Sequence, residues 1–276
     1  MSTTTETAKV RLPSPLSVGI ARGGLEIKQF LRERDAVVFT LGLPVVLLVL
    51  FASIFSGEIG HTGVDVRQVF ISGMVATGIM STSFQSIAIG IAVERDDGTL
   101  KRLAGTPMPR VASFIGKVLM VLLLSLAETV LLLLIGTLVF GLDLPSSGGR
   151  ILTLVWVFVV GVVASTLLGI AMSSVPRSGR SATAVITLPF LVLQFISGVY
   201  IPFNQLPAWV QHVSAFFPLK WLTQGLRSVF LPDSFTSQEM AHSWEHGRTA
   251  VVLAAWAIAG LVLCLMTFRW KGRRDG

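Results

Sequence analysis

The segment HSWEH at 242–246 sets two imidazoles four residues apart with a carboxylate between them. On a helix this H-x-x-E-H spacing would let His242 and His246 share one face around a zinc ion, with Glu245 as the base. A zinc site needs a third protein ligand, and beyond His246 the one acidic residue is Asp275, in a basic tail. Only upstream ligands could complete the set, so a solvated loop is the favoured reading. His61 and His212 also fall between apolar runs, and no histidine sits at membrane depth beside a nucleophile. Cys264 is the sole cysteine, which excludes an intramolecular disulfide framework and a cysteine-based metal site. The phosphate cradle G-x-x-x-x-G-K-[ST] does not occur, so the chain is not its own ATP-driven engine by that route.

What remains is a sparse set of polar groups inside apolar runs. Glu128, in LLLSLAETVLLLL, is the one acidic residue deep in such a run. A charge near the bilayer centre costs about 3 kcal/mol on insertion scales, so a residue of this kind faces a water-filled path or packs in a protonated or hydrogen-bonded form. Ser125, Thr129 or a neighbouring helix could satisfy it. Thr77, Ser81 and Gln85 recur every four residues, which predicts one helical stripe that lines a path or ties two helices. Ser165, Gly169 and Ser173 make a small-xxx-small face suited to close helix packing.

The elements that must position these groups are membrane helices. Hydrophobic residues make up 52% of the 276, and charged residues only 13%. Runs long enough to cross a hydrocarbon core, which takes about 20 helical residues, recur along the chain. They predict an all-α integral membrane protein with about six spans, near 37–55, 69–93, 111–140, 151–175, 183–201 and 249–268. No strand-like alternation is long enough to argue for a barrel. The first run starts after more than thirty polar and charged residues, unlike a cleavable signal.

Of the 22 Lys and Arg residues, 17 fall before the first span, between the second and third, between the fourth and fifth, or after the sixth. Lys117 is counted there as a snorkelling side chain, and the opposite face keeps Arg67, Arg150, Lys220, Arg227 and Arg248. The bias predicts both termini in the cytoplasm. The formal charge of +7 is thereby explained without nucleic acid, whose binding would call for interleaved stacking aromatics.

Residues 1–15 are Thr-, Ser- and Pro-rich and read as a disordered tail; 271–276 form a basic C-terminal tail. From Leu16 to Arg34, apolar residues at near-helical spacing predict an amphipathic helix on the inner membrane surface, weakened by Gly23 and Gly24. The connection 202–248 begins too apolar for a solvated loop and is broken by Pro202, Pro207 and Pro218. It reads as an external re-entrant or interfacial hairpin with Trp209 and Trp221 at headgroup depth.

Residues 93–110, VERDDGTLKRLAGTPMPR, interrupt this pattern with charge and turn formers. Gly98 would end the second helix, Thr99 would cap a short new one, and Leu100 and Leu103 would give it an apolar side with Lys101 and Arg102 outward. Gly105, Thr106 and Pro107 would close it. Such a helix suits a groove on another protein, or is an ordinary basic loop.

The stretch ERDDGTLKRLAGTP resembles the E-x-x-x-G-T-L-x-x-L-x-x-T-P pattern of ABC-2 type permeases, the membrane subunits of one class of ABC exporters. PLKWLTQGLR at 218–227 is similar to that family's proline-to-arginine stretch, and the resemblance extends over 16–270 as a single transmembrane domain. It implies an ATPase-coupling region made of Glu94, Gly98, Thr99, Leu100, Lys101, Arg102, Leu103, Thr106 and Pro107. It implies two copies of a separate ABC ATPase, with ATP and Mg bound there and none by this chain, and a second copy of this permease or a close paralogue. It implies export of a drug, antibiotic or lipid-like substrate through the plasma membrane, and adds Gln194 to the candidate path formed by Thr77, Ser81, Gln85 and Glu128. The competing class is an ATP-independent carrier or channel with Glu128 as its coupling group.

Overall fold

The computed structural model describes residues 14–106 and 108–267; Pro107 and both terminal segments lie outside the described residues. The helices run α1 Pro15–Arg32, α2 Arg34–Ile54, α3 Val66–Asp96, α4 Thr99–Ala104, α5 Arg110–Phe140, α6 Gly148–Met172, α7 Gly179–Ile196, α8 Ala208–Ser214, α9 Pro218–Phe230 and α10 His246–Thr267. Six of them, α2, α3, α5, α6, α7 and α10, are long and apolar enough to cross a membrane. Among the described residues there is no strand, only an isolated antiparallel bridge between Glu58 and Asp65.

Several spans start earlier than hydropathy indicates, because their first turns are polar but capped. The Asp65 carboxylate accepts from the Arg67 amide at 2.8 Å, the Ser147 hydroxyl from the Arg150 amide at 3.3 Å, and Ser178 forms a reciprocal box with Ser181. These caps stabilise VRQ, GGR and GRS as helix although none of the three is apolar. Ser14 caps α1 with Pro15 at its first position, so the last two residues of the expected disordered tail belong to an ordered helix start.

The core surrounds α3, the most enclosed span, while α2 and α10 are largely exposed. Within α3 the backbone makes a π turn over Ser81–Ser86, where the Thr82 hydroxyl donates to the Gly78 carbonyl at 3.0 Å and the Ser83 hydroxyl to that of Ile79. The wider turn changes the pitch on which the predicted stripe was drawn, and Gln85 within it donates to Thr187 of α7. Against this turn lies Gly169 of α6, where a Cβ would meet the Phe84 carbonyl oxygen at 2.7 Å. The small-residue face of α6 is thus a packing surface.

Helix α1 crosses α5 closely. A Cβ on Gly19 would sit 2.6 Å from Ile115, one on Gly23 2.9 Å from Leu119, and one on Gly116 3.0 Å from the Gly23 nitrogen. Gly23, which weakens α1 as an isolated helix, is with Gly19 what lets it dock, whereas Gly24 faces open space. Leu16, Ile20 and Leu31 remain exposed.

Between α7 and α10 the chain folds back as α8 and α9. Every residue of α9 is buried, and Leu222 lies on Gly161, near the middle of α6. Trp209 is exposed, but Trp221 is enclosed by protein, its indole N–H donating to the Ala215 carbonyl at 2.7 Å. Trp221 is therefore no headgroup anchor; Lys220 Nζ sits 3.7 Å from its ring centroid.

Candidate functional site

Four successive residues at the end of α3 each hold a different element. Glu94 accepts from Lys117 Nζ of α5 at 2.7 Å, and the same ammonium lies 3.6 Å from Glu26 of α1, which also pairs with Arg22 at 3.0 Å. Arg95 donates from Nη2 to the Ser173 carbonyl at the end of α6. Asp96 accepts from the Gly179 amide at 3.0 Å, the first turn of α7, where a carboxylate also meets the positive end of the helix dipole. Asp97 accepts from the Thr99 amide at 2.8 Å, the first turn of α4. The alternating charges of E-R-D-D thus tie α3 to five other helices, α1 through Lys117 and α4 to α7 directly.

Lys117 differs from expectation. It does not snorkel outward; it turns inward, buried between two carboxylates, because α1 covers the base of α5. Glu26 of α1, which sequence reasoning did not single out, is buried opposite it. The GxxxG spacing of Gly19 and Gly23 was the signal available for this crossing.

Gly98 has φ of +79°, a left-handed conformation that reverses the chain between α3 and α4 and that glycine adopts without strain. Thr99 is not the cap: it is the first residue of α4, with Gly98 before it and Asp97 supplying the side-chain acceptor, while the Thr99 hydroxyl accepts from Arg102 Nη2 at 2.9 Å. Leu100 is buried in the main core, Leu103 packs against it, and Lys101 and Arg102 are exposed on the opposite side. Gly105 ends the helix and the Thr106 hydroxyl donates to the Leu103 carbonyl at 2.7 Å. The result is a six-residue helix pinned on its inner face and cationic on its outer one.

The polar residues within the spans are dispersed. Glu128 is fully buried on the Gly78 face of α3, where a Cβ would come within 2.6 Å of Oε1, and neither carboxylate oxygen has a protein hydrogen-bond partner. Ser125 does not satisfy it, being paired with Thr82 at 2.5 Å, and the Thr129 hydroxyl is itself unpartnered. The neighbouring Thr77 hydroxyl is buried without a partner, and Ser81 is half-buried one turn on. Gln85 donates to Thr187 of α7 at 2.9 Å, and Gln194 accepts from Tyr200 at 2.6 Å. Gly78 and Glu128 thus meet at one α3–α5 contact, whereas Gln85 ties α3 to α7 and Gln194 ties α7 to Tyr200 in the segment that follows it.

HSWEH does not form a zinc face. His242 and Glu245 have positive φ and precede α10, which begins only at His246, so the two histidines share no helix. His246 Nε2 instead contacts the Ser228 hydroxyl at 2.9 Å.

Six apolar spans, two of them joined by a pinned cationic helix, describe a multi-pass membrane protein. The sequence profile of the ABC-2 type transporter family matches residues 24–231, and the chain belongs to that family. Its class is therefore a transmembrane subunit of an ABC transporter of the ABC-2 type. The chain is 25% identical over 236 residues to the probable doxorubicin resistance ABC transporter permease protein DrrC of Mycobacterium tuberculosis, covering 80% of this chain and 82% of DrrC. It is 23% identical over 229 residues to the putative transport permease ycf38 of Cyanophora paradoxa, 80% and 78% of the two chains. Similarity to the probable multidrug ABC transporter permease YbhR of Escherichia coli, 25% over 149 residues, takes in 53% of this chain and 39% of YbhR. The match thus spans about two fifths of YbhR's own length.

Proposed function

We propose that this chain is the permease of an exporter that moves a hydrophobic or amphipathic substrate, a drug, antibiotic or lipid-like molecule, out of the cytoplasm or inner leaflet. ATP and Mg are bound by a separate ATPase, in two copies, that docks on α4 and its flanks. The working unit holds two permeases, this one and a second copy or close paralogue, in the plasma membrane with both termini cytoplasmic. One observation carries the reading: α4 presents Lys101 and Arg102 outward while Glu94 to Asp97, immediately before it, hold α1, α5, α6 and α7. A displacement of the docked helix would therefore reach several spans at once. The relatives named as a doxorubicin resistance permease and a multidrug permease support the substrate class.

In this reading Gly98, Thr99, Leu100, Leu103 and Thr106 shape the docking helix. Pro107, outside the described residues, keeps the role that the family pattern gives it. Thr77, Ser81 and Glu128 line the path where α3 meets α5, and Gln85 and Gln194 position α7 beside it. The exposed apolar residues of α1 lie at the inner headgroup boundary.

Reversing both Lys101 and Arg102 to Glu tests the docking. The chain should still reach the membrane, and co-purification of the ATPase and drug efflux should fall together. Unchanged co-purification and efflux would remove α4 as the docking element. Efflux that persists without any bound ATPase would instead favour a carrier coupled through Glu128.

A further inference from the structure

We propose that Arg227 and Glu239 form the outer closure of the transport path, a clasp that must release for substrate to leave. The proposal rests on the export reading, which places the 197–245 segment on the outside.

Arg227 joins three pieces of chain. It belongs to α9, whose polar positions Lys220, Gln224 and Arg227 recur at one helical face. Its Nε donates to Glu239 Oε1 at 2.6 Å, on the loop between α9 and α10, and its Nη1 donates to the Gly198 carbonyl at 3.2 Å, just beyond the end of α7. Both side chains are at most 2% exposed. The turn at Gly198 has φ of +75° and is cramped, since a Cβ there would meet Phe203 at 3.2 Å and Arg227 at 3.3 Å.

The loop that carries Glu239 also meets the polar face of α9 one turn earlier, at Gln224. Gln224 donates from Nε2 to the Ser243 and Trp244 carbonyls at 3.3 and 3.2 Å. The loop is moored elsewhere as well: Ser234 donates to the Thr62 carbonyl at 2.8 Å, and Phe235 packs with Ile59, Val64 and Val69. A polar helical face has thereby been carried inside the protein and sealed.

The seal is incomplete in one respect. Arg227 Nη2 and Glu239 Oε2 are both buried with no partner, so the pair that closes the layer is itself half satisfied. A buried pair serving packing alone is replaced at little cost, or with a gain, by apolar side chains of similar volume. A half-satisfied pair differs in that both orphan atoms find hydrogen bonds once water enters, which lowers the cost of the opened state relative to an apolar seal. The closed and released states then lie close enough for the transport cycle to bias.

Ser197 supplies the reporter. It is fully buried, directly precedes the held Gly198 carbonyl, and its hydroxyl has no partner, so a thiol fits there. With Cys264→Ala removing the native cysteine, Ser197→Cys is labelled on intact cells by a membrane-impermeant maleimide, with cellular ATP maintained or depleted. With the native pair, labelling is slow in depleted cells and severalfold faster in energised ones. Glu239→Gln, which weakens a charge-assisted bond, labels about tenfold faster than the native pair in depleted cells. Arg227→Met/Glu239→Leu stays folded yet labels slowly in both conditions, because an apolar seal has no wet state to open into.

The proposal is overturned if the native pair labels equally in both energy states, if Glu239→Gln labels as slowly as the native pair, or if the apolar double variant opens with ATP as the native pair does. Should Glu239→Gln not accumulate, Arg227→Lys, which keeps the charge but loses the fork, takes its place with the same expectation and the same reversal. ATPase co-purification, measured in parallel, is the readout of the export reading. Where it fails, labelling of the pair variants in depleted cells still decides the closure.

Discussion

Lys117→Met removes the cation that Glu26 and Glu94 share. Deleting one partner of a fully buried ion pair costs about 3–5 kcal/mol, because the remaining charge is stranded. Two features of the junction lower that figure. Glu26 keeps Arg22 at 3.0 Å, and the Glu94 side chain is 24% exposed and can hydrate. We therefore expect a loss of about 2–3 kcal/mol, below the range for a wholly buried pair. Glu94→Gln should cost about 1 kcal/mol, since its amide oxygen still accepts from the ammonium. The combined variant strands one carboxylate fewer than Lys117→Met and should be the more stable of those two, a coupling of about 1–2 kcal/mol. Thermal unfolding of the detergent-solubilised protein, followed by tryptophan fluorescence, gives the order native, Glu94→Gln, double variant, Lys117→Met. A double variant less stable than Lys117→Met, by the full cost of Glu94→Gln, would refute the shared-cation geometry.

Gly23→Leu should displace α1 from α5, since its Cβ is confronted by Leu119 and the Gly116 backbone, and limited proteolysis within 15–32 should accelerate; Gly24→Ala, with nothing within 4 Å, should gain up to about 1 kcal/mol of helix stability. Gly78→Ala should impair efflux by pushing on the Glu128 carboxyl, and Glu128→Ala should relieve it in the same chain; efflux by Gly78→Ala equal to native would deny the contact. Burial pushes the Lys220 ammonium down from 10.5 to about 8, with Glu239 and Glu245 opposing the fall and Arg227 and Arg248 adding to it. The native state is therefore penalised while this lysine is charged, and the penalty is relieved as pH rises through about 8. Unfolding temperature should rise for the native chain between pH 7 and 9.5 and stay flat for Lys220→Met; parallel profiles would show that Lys220 does not titrate there.

Hydropathy located all six spans because a bilayer-crossing helix declares itself by length and apolarity. It misplaced several ends because VRQ, GGR and GRS are helical through their caps, which depend on a hydrogen bond rather than on transfer free energy. The short helix after Gly98 was legible in its turn chemistry and in the spacing of Leu100 and Leu103. The partners of Glu94, Arg95 and Asp96 were not, since Lys117, Ser173 and Gly179 are neighbours only in space. Lys117 illustrates the loss most directly: near a helix end its long aliphatic stem suits snorkelling equally well, and only the glycine-lined crossing of α1 turns it inward. The π turn at Ser81–Ser86 had no periodic signal, so the stripe of Thr77, Ser81 and Gln85 was drawn on a helix of the wrong pitch.

The division of labour along 94–102 bears on how such transporters diversify. Residues 94–97 are each committed to a different helix, so a single inserted residue would rotate the set by about 100° and misassign every contact together. Lys101 and Arg102 are exposed on the opposite side of α4, where Arg102 bonds to Thr99 of the same helix. Duplicated genes could therefore acquire new ATPase allegiances by drift on the outward face while the inward face stays fixed, and mispaired chimeras should fail at recognition before they fail at folding.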